Sequence, residues 1–204
     1  MNVSLYGTFA YSALYGIFQL WLGFYHHTFW FYSLGAYYIC LAVMRFFLAL
    51  HTRKYEPGEN MRNELIKYRA CGWVFLIMNL ALSLIVFFMV YWNRTFHHHE
   101  ITTIAMAAYT FTALTVAIIN VVRYQKYGSP AYSAAKAISL ASATVSMLTL
   151  ENALLTTFGE GESELFRQIM LGASGTAVIL VVQGIALYMI VNASKKLRIK
   201  DSET

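Results

Sequence analysis

Residues 70–92 read ACGWVFLIMNLALSLIVFFMVYW, a run without a single charged side chain. An apolar stretch of about 18 residues or more can cross the ~30 Å hydrocarbon core of a bilayer as an α-helix. A backbone inside lipid must satisfy its own hydrogen bonds, and a helix does so within one segment. This stretch therefore predicts an integral membrane protein.

Five further apolar stretches predict an all-α protein with about six transmembrane helices in a single domain. The six predicted helices cover residues 5–25, 28–50, 70–92, 101–122, 131–158 and 165–191. Strands of a transmembrane β-barrel would be about ten residues long and alternate in polarity, unlike these stretches. The chain is 58% hydrophobic and only 12% charged, whereas a soluble domain has about 25% charged residues. The first stretch has neither a basic n-region nor a cleavage site, so we expect a retained helix rather than a signal peptide.

Basic residues predict the orientation of the chain in the cell membrane. Alternate gaps between the predicted helices, together with residues 192–204, carry eleven lysines and arginines, while the opposite side carries two. An excess of basic residues marks the cytoplasmic side, so both termini and a basic tail at residues 192–204 are predicted to be cytoplasmic. This placement also explains the formal net charge of +5 without a nucleic-acid partner.

The lengths of the gaps predict how the helices pair. Short outward gaps favour three hairpins, formed by helices one and two, three and four, and five and six. The long inner gap, residues 51–68, has a Glu64–Lys67 spacing that suits a short surface helix. Cys40 and Cys71 fit no metal or disulfide spacing and are interpreted as small buried hydrophobic residues.

Three ionisable residues fall inside predicted helices, where such residues are default functional candidates. Arg45 and Lys136 lie near the inner ends, so their long side chains can snorkel to the interface. Glu151 lies about seven residues, or ~10 Å, from the outer end of the fifth helix and is too short to snorkel. Asn152 follows it, and Gln19 of the first helix lies at a similar depth. Glu151 is therefore either part of a functional site or a hydrogen-bonded anchor between helices.

The fifth helix is unusually polar and rich in small residues. Its serines and threonines recur at three- and four-residue steps and share one face: Ser139, Ser142, Ser146 and Thr149. Such a helix offers little to lipid, so we expect it in the middle of the bundle. Either tight small-residue packing or the lining of a polar path explains this pattern.

Amides and aromatic residues supply the remaining candidates within the helices. Asn79 and Gln183 are predicted near mid-membrane, where they bond each other or a substrate. An aromatic wall formed by Tyr11, Tyr15, Tyr37 and Tyr38 suits an organic cation through cation–π attraction, although core packing explains these rings equally well.

Histidines at the outer face are weak metal candidates. His26 and His27 fall in the first outer gap, and His97, His98 and His99 fall in the second. Consecutive histidines point in different directions, and no H-x-x-x-H spacing is present. Interfacial histidines are the preferred interpretation, and no metal or other cofactor is expected.

The motifs of several function classes are missing from the sequence. There is no G-x-x-x-x-G-K-[ST] nucleotide loop, no G-x-S-x-G nucleophile and no T-V-G-Y-G-like filter. The leading hypothesis is transport of a small solute or ion along a polar path lined by the fifth helix, with Glu151 binding a cation or proton. The alternative is a non-catalytic subunit or regulator that binds a protein partner or a second copy. A lipid-modifying enzyme is a third, weaker hypothesis.

Overall fold

The structure is a computed structural model that describes residues 2–27, 29–54, 61–92, 100–124, 129–158 and 163–202. Over these ranges the chain forms six helices, which confirms the all-α prediction. They are α1 (Asn2–His26), α2 (Phe29–Lys54), α3 (Met61–Trp92), α4 (Glu100–Tyr124), α5 (Pro130–Thr157) and α6 (Glu164–Ser202). By length and composition, α2 to α6 are able to span a membrane. Helix α1 has 25 residues and, over the described residues, is not among these five helices.

Three helices extend well beyond the predicted apolar stretches. Helix α2 continues to Lys54, and α6 continues to Ser202, through most of the predicted basic tail. Helix α3 begins at Met61, so the separate surface helix predicted around Glu64–Lys67 is wrong, because these residues form the first turns of α3. Hydropathy locates the part of a helix that lies in lipid, whereas lysine, arginine and glutamate continue a helix readily in water.

The helices pack in the pairs α1–α2, α3–α6 and α4–α5. The first pair is the predicted hairpin, but the predicted pairing of the third and fourth helices is wrong, and α5 contacts α4 more extensively than α6. Close backbone approach explains the α3–α6 pair. A Cβ atom at Gly72 would lie 2.8 Å from Cγ1 of Ile190 and 3.2 Å from the Ala186 carbonyl oxygen of α6. A short loop brings helix ends together, but complementary surfaces of small residues decide which faces pack.

Helix α5 lies in the centre of the bundle, as its composition predicts. It contacts α2, α3, α4 and α6, and its alanines Ala134, Ala141 and Ala153 are completely buried. Ser129 caps its N-terminus by accepting a hydrogen bond from the Ala131 amide, and Pro130 occupies the first turn. Both residue types are preferred at these positions. Polar side chains on α5 are thereby held against several neighbouring helices.

Candidate functional site

Arg45 of α2 is buried in the protein, with 4% of its surface exposed. Its Nη1 donates to the Thr8 carbonyl oxygen at 2.8 Å and to Ser12 Oγ at 2.5 Å, both on α1. The expectation that Arg45 snorkels to the interface is therefore wrong. A guanidinium stays charged, so its burial requires hydrogen bonds of this kind inside the protein.

Tyrosine rings from three helices pack together beside Arg45. The Tyr109 ring of α4 stacks on Tyr15 and on Tyr11, with the Tyr11 centroid at 4.8 Å. Tyr38 meets Tyr109 edge-on at 5.6 Å, and Tyr37 meets Tyr38 edge-on at 5.9 Å. The Tyr11 hydroxyl donates to the Tyr109 carbonyl oxygen at 3.2 Å. Since Tyr15 and Tyr109 cover each other's faces, packing explains the predicted aromatic wall better than a cation–π surface does.

Several polar atoms in this region are buried without a hydrogen bond of normal geometry. They include both amide atoms of Gln19, which is 0% exposed, and the hydroxyls of Tyr15, Tyr38 and Tyr109. The Tyr15 hydroxyl lies close to Gln19, the Tyr38 hydroxyl close to Ser146, and the Tyr109 hydroxyl close to Ser12 and Ser142. We call this set the polar cluster; its members are Ser12, Tyr15, Gln19, Tyr38, Arg45, Tyr109, Ser142 and Ser146.

The polar cluster is costly to bury, because several of its atoms have no hydrogen bond of normal geometry. A buried donor or acceptor without a partner destabilises a protein by about 1–3 kcal/mol. Native proteins satisfy such groups with protein, ordered water or ligand. The described residues do not complete the hydrogen bonding of Gln19, so its environment is suited to binding a polar ligand.

The serine and threonine side chains predicted to share one face of α5 have two kinds of neighbour. Ser142 and Ser146 reach the polar cluster, whereas Ser139 accepts a hydrogen bond from Asn120 of α4 at 2.9 Å. Thr149 donates to the Val145 carbonyl oxygen of its own helix at 2.9 Å. All four residues are buried, as is Asn152. Part of the predicted polar face therefore serves helix packing.

Glu151 lies outside the polar cluster. It follows Ser146 by five residues and so points about 140° away around α5. Glu151 lines a groove of about 610 Å³ between α4, α5 and α6 whose wall contains none of the four predicted tyrosines. Lys136 lines a different groove, of about 510 Å³, together with Tyr68 and Tyr188. The structure does not bring the predicted carboxylate, lysine and aromatic wall together.

Asn79 and Gln183 form the predicted interhelical hydrogen bond. The Asn79 amide nitrogen donates to Gln183 Oε1 at 3.2 Å and to the Ile179 carbonyl oxygen at 3.1 Å. Both acceptors belong to α6, so this pair anchors α3 to α6 and is separate from the polar cluster.

A second buried polar group joins α2, α3 and α5, and sequence analysis did not identify it. Glu64, 2% exposed, accepts a 2.5 Å hydrogen bond from Ser129, and Lys67 Nζ lies 2.7 Å from Nδ1 of the buried His51. The Ser129–Pro130 pair was an available signal, because it is typical of a helix N-terminus. Tyr109 and Ser12 were also missed as site residues.

The metal candidates are mostly beyond the described chain. His97, His98 and His99 lie outside the described residues, as does the side chain of His26. His27 is exposed, with a positive φ of 50° at the end of α1. Within the described ranges, no three histidine, cysteine, aspartate or glutamate side chains are grouped to hold a metal ion.

Comparison with known proteins gives no relative on which to base a function. No family model matches the chain, and no match was found among curated proteins or among solved structures.

Proposed function

We propose that all six helices cross the cell membrane, with both termini on the cytoplasmic side. The distribution of lysine and arginine supports this orientation. A helix with the 25 residues of α1 is about 38 Å long, which exceeds the ~30 Å hydrocarbon core. Its extensive packing along α2 also favours a position beside α2 in the membrane.

Within this topology, we propose that the protein transports a small polar solute, which binds at the polar cluster. The observation that carries the proposal is the fully buried Gln19 amide, neither of whose polar atoms has a hydrogen bond of normal geometry, beside tyrosine hydroxyls that also lack one. A solute with both donor and acceptor groups would complete these hydrogen bonds. Glu151, on another face of α5, is not assigned to this solute site.

The depth of the polar cluster supports transport. Tyr38 lies nine residues after the start of α2, which is about 14 Å from that end of the helix. Tyr109 lies nine residues after the start of α4. Transporters bind their substrates near the bilayer midplane, between packed helices. A binding site at this depth can be exposed to either side by small movements of the surrounding helices.

Cysteine accessibility tests whether the polar cluster exchanges with water. In a background with Cys40→Ala and Cys71→Ala, Ser142→Cys is treated with a small, charged, membrane-impermeant thiol reagent. We expect labelling at Ser142→Cys but not at Val145→Cys, a matched control on the same helix that is 0% exposed. Equal labelling of the two positions, or none at Ser142→Cys, would contradict the proposal.

Flux measurements test the transport step itself. Proteoliposomes are loaded with neutral polar solutes such as urea, glycerol and glycine, and their efflux is compared with that of protein-free liposomes. We expect protein-dependent efflux of at least one solute, slowed by Gln19→Met but not by Gln183→Met, since Gln183 lies at the α3–α6 contact. Efflux unaffected by Gln19→Met would remove Gln19 from the path.

A further inference from the structure

The groove beside Glu151 is apolar except near its carboxyl group. Its wall is formed by Thr110, Phe111 and Leu114 of α4, by α5 residues between Thr144 and Leu155, and by Ser174, Ala177, Val178 and Val181 of α6. At about 610 Å³, it lies within the ~300–1,000 Å³ range of small-molecule sites. The groove is therefore large enough for a ligand and has one acidic contact.

The carboxyl group of Glu151 has no hydrogen-bond partner among the described residues. Its Oε1 is buried without a donor. The hydroxyls in the groove wall donate elsewhere: Thr110 to the carbonyl oxygens of Met106 and Ser146, Thr144 to Leu140, and Ser174 to Met170. A carboxyl group in apolar surroundings is stabilised by a hydrogen-bond partner or, when ionised, by a cation. An occupant of the groove can supply such a partner.

The length of the groove indicates what kind of occupant fits. Its α5 wall extends from Thr144 to Leu155, a rise of eleven residue steps or about 16.5 Å. This is about half of the ~30 Å hydrocarbon core, so it matches one leaflet rather than a whole membrane-spanning helix. Phe111, Met147 and Val181 of the groove wall are exposed on the outside of the bundle, so a chain from the surrounding lipid can enter.

We propose that this groove binds a single-chain amphiphile whose protonated amine pairs with Glu151. The amine supplies both the charge and the hydrogen bonds that the carboxylate lacks, and the alkyl chain covers Phe111, Met147 and Val178. This site is distinct from the solute site of the proposed function, because it lies on another face of α5. Either of the two proposals can fail without the other.

Binding of hexadecylamine to the full chain in phosphatidylcholine nanodiscs tests the proposal. A photoreactive hexadecylamine is cross-linked, its positions are mapped by mass spectrometry, and unlabelled hexadecylamine and hexadecanol compete. We expect cross-links on the α4, α5 and α6 walls and competition by the amine well before the alcohol. Glu151→Gln should weaken amine binding at least about tenfold, because the ion pair is lost and only a hydrogen bond from the ammonium to a neutral amide oxygen remains.

Two further variants keep the test decisive. Glu164→Gln, which removes an exposed carboxylate from the start of α6, controls for general attraction of amines and should bind normally. Ala177→Phe retains Glu151 but fills the groove, and it should reduce binding even if Glu151→Gln does not fold. Equal competition by amine and alcohol, cross-links outside the groove, absence of binding, or a co-purifying transmembrane protein cross-linked in the groove would each overturn the proposal.

Discussion

Replacing Gln19 with methionine should stabilise the protein while impairing its proposed function. Methionine has nearly the shape of glutamine, so Gln19→Met removes two polar atoms and leaves the packing of α1 almost unchanged. Both atoms are buried without a hydrogen bond of normal geometry, and each such group costs about 1–3 kcal/mol. The neighbouring Tyr15 hydroxyl recovers part of this cost. We therefore expect a gain of at least about 1 kcal/mol in the free energy of unfolding.

A matched control is Asn120→Leu, in which a buried amide with a partner is replaced by an apolar side chain of similar size. The Asn120 amide nitrogen donates to Ser139 Oγ at 2.9 Å, and Asn120 is 3% exposed. Loss of an interhelical hydrogen bond in a membrane protein costs about 0.6 kcal/mol on average and up to about 1.7. The two substitutions should therefore change stability in opposite directions.

Reversible unfolding in mixed micelles, titrated with a denaturing detergent and followed by far-UV circular dichroism, measures both changes. The reasoning is refuted if Gln19→Met destabilises the protein as Asn120→Leu does, because Gln19 would then have good partners in the native state. If Gln19→Met is stabilised and retains full solute efflux, the Gln19 amide is a packing defect rather than part of a binding site. Stabilisation with loss of efflux is the expected trade-off between stability and function.

The remaining predictions concern helix packing and capping, and the same unfolding assay measures them. Gly72→Ala should lose about 1–3 kcal/mol, because its Cβ would overlap α6 and overpacking is destabilising. Gly184→Ala, whose Cβ would meet nothing within 4 Å, should gain about 0.5–1 kcal/mol from reduced chain entropy; equal effects at the two glycines would contradict the α3–α6 packing. Ser129→Ala should lose about 1–2 kcal/mol with the cap of α5 and its hydrogen bond to Glu64, whereas Ser129→Thr should stay near the native value. A fully stable Ser129→Ala variant would mean that the Glu64 contact does not form.

Sequence reasoning located the helices because the signal is local. A long apolar run has few structural options in lipid, and residues 70–92 alone carry that argument. The same reasoning misplaced the starts and ends of helices at positions such as Met61 and Ser202, since helices continue into water where hydropathy gives no signal. The very short connection between α1 and α2 also predicted correctly that these two helices form a hairpin.

Helix partners were harder to predict, because they depend on contacts distant in sequence. Nothing near Gly72 in the chain indicates that Ala186 and Ile190 will lie against it. The composition of α5 did predict its central position, since a helix of alanine, serine and threonine gains more from close neighbours than from lipid. Composition thus specifies how exposed a helix is, but not which helices surround it.

For the candidate sites too, residue types and depths could be predicted from the sequence, whereas contacts between helices could not. Gln19, Arg45, Ser142 and Ser146 were identified from residue type and depth, and the structure brings these four residues into one cluster. Glu151 was expected to share a path with them, although helical periodicity gives only relative angles and does not state which face meets which neighbour. Tyr109 was missed as a site residue because a tyrosine in an apolar helix has no distinguishing pattern of its own.

Thr110 connects the two candidate sites, and this determines how variants must be compared. Thr110 lines the Glu151 groove and donates to the Ser146 carbonyl oxygen, while its chain neighbour Tyr109 belongs to the polar cluster. A substitution at Thr110 therefore perturbs both sites and cannot assign a phenotype to either. Gln19 and Glu151 each belong to one site alone, so their variants separate solute transport from amphiphile binding. If an amphiphile in the groove alters solute efflux, the Thr110–Ser146 hydrogen bond is one described contact that connects the two sites.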